Sequence, residues 1–430
     1  MFEQFTEQNL EQNYNLSQLK SILHELGYKP GKKNKQQLIE AILKVQNGER
    51  ISVSRRGRPT NRDKQNRQEI FVSDHKTDFV YGNSVNGVFE KEFVSGNCFI
   101  RVKNLTPSNG DVFVPTQLVK EFGLIEGDQI EGEIEQKSPG VIAELKKITK
   151  INGVSLKNFK RISFDSLASV NSNQKINLIG GSYQVDMNLV QLFCPIAFGQ
   201  RLLVATSENY GAKTILKKMA YSIKQNYKNA HVLACLFDTF PEEAEEFSFN
   251  NPEIEVCATS FAEKAEFHVR IFQLALSRAK RLVESGKNVV FIVDSIDKLA
   301  KAFKNMLQNP AQNQWLVYLK KFLASAKKTA DGSLTIIASC HYNQNQIFDE
   351  IKHSFNGVLS LSVALATQRI FPNINLIETG SQKEQILLSE EELKITNAIR
   401  RLLYNGELSN EKVIDRLNMG ESLQDIVSRF

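Results

Sequence analysis

Apolar positions along the chain follow three successive patterns, and each pattern predicts a different kind of structure. Residues 15–46 repeat apolar side chains at helical spacing on both sides of Lys29-Pro30-Gly31, which predicts two short helices, the second capped by Asn34. From about residue 70 to residue 152, apolar and polar side chains alternate with a period of two, which predicts the strands of a small closed β-barrel. Its five predicted strands are Val85–Glu90, Cys98–Val102, Asp111–Val114, Gln129–Glu135 and Ala143–Ile151.

Strands and helices alternate from about residue 175 to the end. The strands are near-continuous apolar runs, which are typical of a parallel sheet buried on both faces, and the intervening helices supply the crossovers of an α/β domain. The predicted strands are Arg201–Thr206, His231–Asp238, Ile254–Thr259, Asn288–Asp294 and Ser333–Ser339, with helices near 214–226, 262–285 and 312–329. The predicted domains are a helical module (1–50), a basic flexible linker (51–70), the barrel (71–155) and the α/β domain (156–430).

Composition narrows the class of protein. The chain has 430 residues, of which 41% are hydrophobic and 24% charged, as expected for a globular protein of two or three domains. Its five cysteines are scattered and mostly lie in apolar runs. This indicates that they are core residues of a protein in the reducing cytoplasm and that they form neither disulfides nor a metal cluster. The six histidines do not have the spacing of metal ligands. No apolar run approaches the roughly 20 residues that a membrane span needs, and the N-terminus is unlike a secretory signal. We therefore expect a cytoplasmic protein without a metal cluster or membrane contact.

The net charge of +6 is unevenly distributed. Between Ser54 and Gln68 stand six basic residues against Asp63, a composition that favours a solvated linker and could add contacts to nucleic-acid phosphates. Within it, Arg56–Pro59 resembles an AT-hook, which lays arginines in the minor groove of DNA. A DNA contact through the linker is therefore one hypothesis, and a plain tether is the other.

Residues Arg201–Leu216 resemble an altered phosphate-binding loop. A hydrophobic strand leads into a turn, and Gly211, Lys213 and Thr214 then open an amphipathic helix, where backbone N–H groups, the ammonium and the hydroxyl would face phosphate and magnesium. The motif G-x-x-x-x-G-K-(S/T) is broken because Ala212 separates Gly211 from Lys213. Asp294 ends an apolar strand and is the candidate partner of magnesium, although an Asp at a strand end can also simply cap a turn.

The predicted barrel carries a candidate site for single-stranded RNA. Phe99 and Phe113 lie on neighbouring predicted strands, and exposed aromatic rings in this position stack bases at about 1–3 kcal/mol each. Arg101 could bind phosphate or a base edge. The alternative is that both rings belong to the barrel core, since alternation alone fits either placement.

Ordered matches along the chain resemble the bacterial transcription termination factor Rho family. They include Gly199-Gln200-Arg201, Pro241-Glu242-Glu243, Ala279–Val283, Asp294-Ser295-Ile296, Gly332–Ala338, Arg369–Pro372 and Leu387–Leu393. The resemblance implies a Rho-like N-terminal module, an OB- or cold-shock-like RNA-binding barrel and a RecA-like P-loop ATPase domain using ATP and Mg²⁺. It also implies a ring, usually a hexamer, that threads RNA and dislodges RNA polymerase.

Departures from the family pattern fall on the groups that hydrolyse ATP. Thr239 replaces the family glutamate that positions the attacking water, and Gln382 replaces the arginine finger that reaches a neighbouring subunit. A hydroxyl or a neutral amide cannot replace either charge. Lys304–Trp315 is short and lacks the family's RNA-gripping loop motif. No residue of this chain is therefore confidently assigned as catalytic.

These features lead to three hypotheses about function. The leading one is a Rho-like RNA-binding protein that acts in transcription termination or its regulation with weak or absent ATP hydrolysis. The second is an active RNA-dependent ATPase–helicase with a remodelled loop. The third is a non-catalytic partner or antagonist that associates with a true Rho ring.

Overall fold

The coordinates are a computed structural model, and they describe residues 19, 34–46, 82–92, 95–138, 140–180, 183–207, 211–249, 252–306, 313–342 and 346–430. The chain divides into two units, 1–69 and 70–430. The first predicted helix, apart from Leu19, and the basic segment with Arg56–Pro59 lie outside the described residues. The finer division into four domains stays a prediction.

The described part of the first unit contains one helix, α1 (Lys35–Gln46). The Asn34 side chain accepts a hydrogen bond from the Gln37 backbone at 2.9 Å, and the Gln37 side chain accepts one from the Asn34 backbone at 3.2 Å. This reciprocal cap confirms the predicted start of the helix. Leu38, Ile39 and Ile42 are buried, as their helical spacing predicts.

The second unit begins with the closed barrel predicted from the alternating pattern. β1 (Ser84–Lys91) pairs antiparallel with β2 (Cys98–Arg101) and with β4 (Gln129–Glu135). β3 (Val112–Phe113) pairs with β2 and with β5 (Glu144–Ile151), and β5 pairs with β4, so that the sheet closes on itself. A two-residue strand, β6 (Val154–Ser155), extends β5, and a short helix, α2 (Thr116–Glu121), follows β3. The five-stranded barrel is confirmed.

A second, mainly parallel sheet forms the core of the remainder, as the apolar runs predict. The strands are β7 (Arg201–Thr206), β8 (His231–Thr239), β9 (Glu255–Ser260), β10 (Asn288–Asp294), β11 (Lys327–Lys328), β12 (Ser333–His341), β13 (Gly357–Ser360) and β14 (Gly380–Ser381). Their order in the sheet is β14-β13-β7-β12-β10-β8-β9, and β11 pairs with β12. Most residues of β7, β8, β10 and β12 are buried because helices cover both faces of the sheet.

Helices pack on the two faces of this sheet and form separate apolar clusters. One cluster gathers Leu216 and Met219 with C-terminal residues such as Ile414, whereas the other gathers Phe272, Phe291 and Phe322. The helices are α3 (Gln184–Phe193), α4 (Ala212–Asn226), α5 (Pro241–Phe249), α6 (Ala265–Glu284), α7 (Ile296–Met306), α8 (Gln314–Ala324), α9 (Gln346–Ile351), α10 (Val363–Thr367), α11 (Glu384–Leu387), α12 (Glu390–Tyr404), α13 (Asn410–Asn418) and α14 (Leu423–Val427). Among the described helices, none has the length and apolar composition needed to cross a membrane.

The barrel packs directly against helix α6. Gly127, in the turn before β4, lies so close to this helix that an added Cβ would stand 2.3 Å from the Ser277 carbonyl carbon. Nearby, the Arg278 guanidinium donates to the Gln129 side chain at 2.7 Å, and Arg270 pairs with Glu90 of β1. The barrel and the parallel sheet are therefore joined through one helix.

Gly127→Ala should reveal this close contact. The substitution adds left-handed backbone strain at φ +85° to a collision with α6, so we expect the free energy of unfolding to fall by about 2–4 kcal/mol. Gly123→Ala is the matched control, because Gly123 has φ +57° and nothing within 4 Å of an added Cβ, and only about 1 kcal/mol of strain is expected. Urea denaturation measures both. Equal losses would contradict the close approach of the barrel to α6.

Candidate nucleotide site and nucleic-acid barrel

The order of the parallel strands gathers the predicted phosphate-binding residues at one edge. β12 lies between β7 and β10, so the start of helix α4, which is the next described element after β7, and the carboxylate that ends β10 meet at the same edge of the sheet. A cavity of about 450 Å³ opens there. All four residues predicted for nucleotide binding, Gly211, Lys213, Thr214 and Asp294, line this cavity.

Helix α4 begins at the cavity with a glycine in the left-handed region. Gly211 has φ +84°, which favours glycine, and Ala212 is the first helical residue. The N–H groups of a first helical turn have no partner within the helix, and together with the positive end of the helix dipole they favour an anion. With Ala212 between Gly211 and Lys213, both Lys213 and Thr214 still line the cavity.

Lys213 is held by neighbouring oxygen atoms. Its ammonium lies 2.5 Å from a Glu243 carboxylate oxygen, 3.3 Å from the Thr239 hydroxyl and 3.8 Å from an Asp294 carboxylate oxygen. Partial burial raises the pKa of the Glu243 carboxyl, but hydrogen bonds from Lys213, Thr239 and the Phe240 backbone outweigh it and lower that pKa to about 2. Any phosphate that binds Lys213 must compete with this carboxylate.

Glu243 lines the cavity, although the sequence analysis gave it no role in the site beyond its place in the family match Pro241-Glu242-Glu243. It stands in the first turn of α5, four residues after Thr239, whose hydroxyl donates to its carboxylate at 2.6 Å. The signal was present in the sequence, because a helix beginning at Pro241 brings Glu243 back toward the end of β8. A carboxylate therefore lies directly beside the Thr239 hydroxyl.

Asp294 is placed as a partner of magnesium would be. One carboxylate oxygen accepts a hydrogen bond from Ser339 of β12 at 2.6 Å, and the other faces Lys213. Mg²⁺ prefers one or two carboxylates together with substrate phosphates, and Asp294, the Thr214 hydroxyl and the Lys213 ammonium form a donor set that fits a magnesium-bound phosphate chain.

Gln382 lies outside the cavity of its own chain. It lines a separate depression beside Phe355 and Asn356, and its backbone N–H donates to the Asn356 carbonyl at 2.6 Å. A group that acts on a neighbouring subunit is expected to lie away from the nucleotide cavity of its own chain. The position of Gln382 therefore neither supports nor opposes the prediction that it stands where the family has its arginine finger. Residues 307–312, within the segment predicted to lack the RNA loop, lie outside the described part of the chain.

In the barrel, the structure corrects the exposure expected for the RNA-binding side chains. Phe99, Arg101 and Phe113 are 4%, 4% and 3% exposed. The two rings meet edge to face with centroids 6.0 Å apart, and Val141 and Ile142 pack with them. Cys98 and Ile100 face the barrel core, so Phe99 and Arg101 point to the other side of the strand, where these neighbours cover them. Their contact with RNA stays a prediction that requires this cover to move.

Arg101 is neutralised by a buried ionic cluster. Its guanidinium donates to Glu90, to Asp111 at 2.7 Å and to Glu92 at 2.8 Å, and it lies 4.8 Å over the Phe99 ring. Burial lowers the pKa of Arg101, but the Glu90 and Asp111 carboxylates raise it above its ordinary value. Arg270 of α6 also binds Glu90, so the cluster links the barrel to the neighbouring domain.

Fold and site together define a class of protein: a barrel of the oligonucleotide-binding type joined to a P-loop-like nucleotide-binding α/β domain. Two sequence families agree with this division. The family described as "Rho termination factor, RNA-binding domain" matches residues 85–157, and "ATP synthase alpha/beta family, nucleotide-binding domain" matches residues 186–381. The chain belongs to the transcription termination factor Rho family.

Individual relatives carry that assignment. The chain is 34% identical over 327 residues to a transcription termination factor Rho of Borreliella burgdorferi, covering 72% of this chain and 63% of the relative. It is 30% identical over 335 residues to that of Chromobacterium violaceum, covering 73% and 78%. The chain thus spans less than two thirds of the length of the Borreliella relative.

Among solved structures, the assembled ATPase EscN from the enteropathogenic E. coli type III secretion system matches the fold. The TM-score is 0.50 at 16% identity, covering 82% of this chain and 92% of that one. At this identity the match shows the fold alone. The predicted α/β architecture, with its barrel and P-loop domain, is confirmed.

Arg101→Met should distinguish a structural arginine from an RNA contact. Removing the guanidinium takes the Arg101 charge away from the buried Glu90 and Asp111 carboxylates and leaves Arg270 as the remaining cation on Glu90, so we expect a loss of about 3–5 kcal/mol of stability. Lys103→Met, at an exposed basic position of the next loop, is the control and should change stability by less than about 0.5 kcal/mol. Denaturation midpoints without RNA provide the measurement. An unchanged midpoint for Arg101→Met would show that the buried cluster does not support the fold.

Proposed function

We propose that this Rho-family protein binds single-stranded RNA through its barrel and acts in transcription termination or its regulation, with ATP hydrolysis and translocation weakened or lost. One observation carries the proposal. Lys213, Thr214 and Asp294 line one cavity of about 450 Å³, whereas Thr239 and Gln382 stand at the family positions of the hydrolytic carboxylate and the arginine finger. The groups that would hold a nucleotide are retained and those that would cleave it are replaced.

Nucleotide binding needs only groups that the cavity contains. Lys213 and the N-terminus of α4 would hold the phosphates, and Thr214 and Asp294 would hold the magnesium ion. The ion would supply charge neutralisation of the phosphates when bound. Because the Glu243 carboxylate already holds the Lys213 ammonium, a phosphate must share or replace that partner, which lowers the affinity for nucleotide.

Hydrolysis needs groups that the family positions no longer supply. Thr239 has a hydroxyl in place of a carboxylate and cannot act as a base near neutral pH. An arginine finger contributes about 10³–10⁵ in rate, and the neutral amide of Gln382 cannot stabilise the same developing charge. We therefore propose that ATP, where bound, serves as a structural ligand.

A second candidate function rests on Glu243. Its carboxylate lies in the cavity beside Thr239, and a shift within the first turn of α5 could place it near an attacking water. An active RNA-dependent ATPase–helicase would then use Glu243 where relatives use the residue at position 239. Against it stands the Lys213 ion pair, which holds this carboxylate away from the role of a base.

The partners follow from family membership and remain part of the proposal. They are single-stranded RNA, the transcription complex with its RNA polymerase, and other subunits in a ring, by family likeness a hexamer. Association with a separate Rho is the alternative assembly. A cytoplasmic location agrees with these partners, and any DNA contact would come from the basic linker.

ATP turnover with and without poly-pyrimidine RNA tests the proposal. We expect turnover near background that RNA does not stimulate, together with measurable binding of ATP in the presence of Mg²⁺. Lys213→Ala should weaken that binding by about tenfold or more, since hydrogen bonds to charged groups contribute about 1.5–3 kcal/mol.

Glu243→Gln separates the two candidate functions. The amide cannot hold Lys213 as strongly, so we expect nucleotide binding to be unchanged or tighter and turnover to stay at background. The matched control is Glu242→Gln, an exposed neighbour on the same helical turn. RNA-stimulated turnover in the native chain that Glu243→Gln abolishes, and Glu242→Gln does not, would refute the loss of catalysis and establish the second candidate.

A further inference from the structure

A buried carboxylate of the barrel is shared between two arginines from different domains. Glu90 of β1 is 3% exposed and accepts hydrogen bonds from the guanidinium groups of Arg101 in β2 and Arg270 in α6. Both oxygens of Glu90 contact Arg270, one through Nε and the other through Nη2 at 2.7 Å. Glu92, just beyond β1, bridges the same pair, with Oε1 2.8 Å from Arg101 Nη2 and 3.2 Å from Arg270 Nη2. Two guanidinium groups therefore share the same two carboxylates.

The other carboxylates around Arg101 have further donors of their own. Asp111 accepts hydrogen bonds from the Ser108 backbone N–H at 2.8 Å and from the Ser108 hydroxyl at 2.9 Å. Glu92 accepts one from the Ser95 hydroxyl at 2.7 Å and is only partly buried. These hydrogen bonds do not involve the Arg101 guanidinium, so they can stay in place when that guanidinium moves.

Glu90 differs because its hydrogen-bond donors are the two arginines. In the described part of the chain, its carboxylate accepts hydrogen bonds from Arg101 and Arg270 and from no other donor. The hydrogen bond to Glu90 raises the pKa of Arg270, although partial burial opposes it, so Arg270 stays charged. A buried charge without a partner is strongly unfavourable. Release of Arg101 from the cluster is therefore feasible only while Arg270 remains on Glu90.

We propose that Arg270 is a positioning residue for the RNA site of the barrel: by holding Glu90, it lets the Arg101 guanidinium leave the buried cluster and bind an RNA phosphate. The inference rests on the RNA binding through the barrel proposed above, and it extends that site to a residue of the α/β domain. Arg270 acts through Arg101 and needs no contact with RNA. The affinity for RNA then depends on how the barrel is seated on α6.

Equilibrium binding of a labelled single-stranded poly-pyrimidine RNA to the full chain, measured over a range of salt concentrations, tests the proposal. Arg270→Met should weaken binding by about tenfold or more, because releasing Arg101 then leaves Glu90 without a hydrogen-bonded cation. The slope of log affinity against log salt concentration should also become shallower by about 0.7, the value of one phosphate contact on a single strand. Arg270→Lys keeps the charge but not the planar fork that spans both carboxylate oxygens, so its affinity should fall between the two.

Removing the carboxylate should remove the need for Arg270. Glu90→Gln leaves no buried charge to compensate, so adding Arg270→Met to that variant should change RNA affinity by less than about twofold. Where Arg270→Met alone does not fold, Arg270→Lys takes its place in both backgrounds. We then expect binding about threefold weaker in the native background and unchanged beside Glu90→Gln.

A matched control is Arg278→Met. Arg278 lies about two turns further along α6, donates to Gln129 of the barrel at 2.7 Å, and has Glu255 as its ionic partner. Its loss removes another arginine contact between the same helix and the barrel, and RNA affinity and salt slope should stay unchanged. Equal weakening by Arg278→Met and Arg270→Met would assign the effect to the domain contact in general and overturn the proposal.

The remaining outcomes separate this inference from the proposed function. A loss of affinity with Arg270→Met that persists beside Glu90→Gln would overturn the inference, because Arg270 would then act without that carboxylate. Native RNA binding that Arg270→Met leaves unchanged, in affinity and in salt slope, would overturn this inference alone. Failure of the native chain to bind the RNA would overturn it together with the proposed RNA binding.

Discussion

Parallel pairing of β7, β12 and β10 is the constraint on which the candidate site depends. The register sets Val293 beside Ala338 and Thr206 beside His341, so the side chains that follow all three strands meet at one edge. A slip of one residue would turn each strand's side chains to the opposite face and separate Lys213, Asp294 and Ser339. Burial on both faces makes such a slip costly, because it would place polar residues among the apolar clusters that cover the sheet. The cavity is thus a consequence of how the core packs, and it does not depend on which side chains stand at positions 239 and 382.

In both candidate ligand sites, carboxylates of the chain itself pair with the cationic side chain that would bind a phosphate. Lys213 is held by Glu243 in the nucleotide cavity, and Arg101 is held by Glu90 and Asp111 in the barrel. A phosphate that binds either group must share it with a carboxylate or displace that carboxylate, which reduces affinity without removing the site. The two cases differ in depth, because Lys213 is partly exposed whereas Arg101 is buried and also tied, through Glu90, to Arg270 of α6. Ligand binding at the barrel would therefore disturb a contact between domains.

Much of the fold could be predicted from the sequence, because burial imposes a simple period on it. The limits of β7 and β10 match the prediction residue for residue, since each runs from a polar residue through a continuous apolar stretch. The cover over Phe99 and Phe113 could not be predicted, because alternation tells which side of a strand a ring occupies and not what packs there. The presence of Glu243 and His341 in the cavity was not predicted, for a related reason. Each reaches the cavity through tertiary placement, by a helical turn after Pro241 and by the central position of β12, and neither belongs to a phosphate-binding motif.

We propose that this chain keeps a motor scaffold whose bond-cleaving groups have been replaced. A structure of the chain with Mg²⁺, a non-hydrolysable ATP analogue and poly-pyrimidine RNA is the decisive experiment. We expect a nucleotide whose phosphates contact Lys213, with no carboxylate positioning a water in line with the terminal phosphate and no guanidinium reaching that phosphate from a neighbouring subunit. Glu243 hydrogen-bonded to such a water, opposite an arginine from the next subunit, would contradict it.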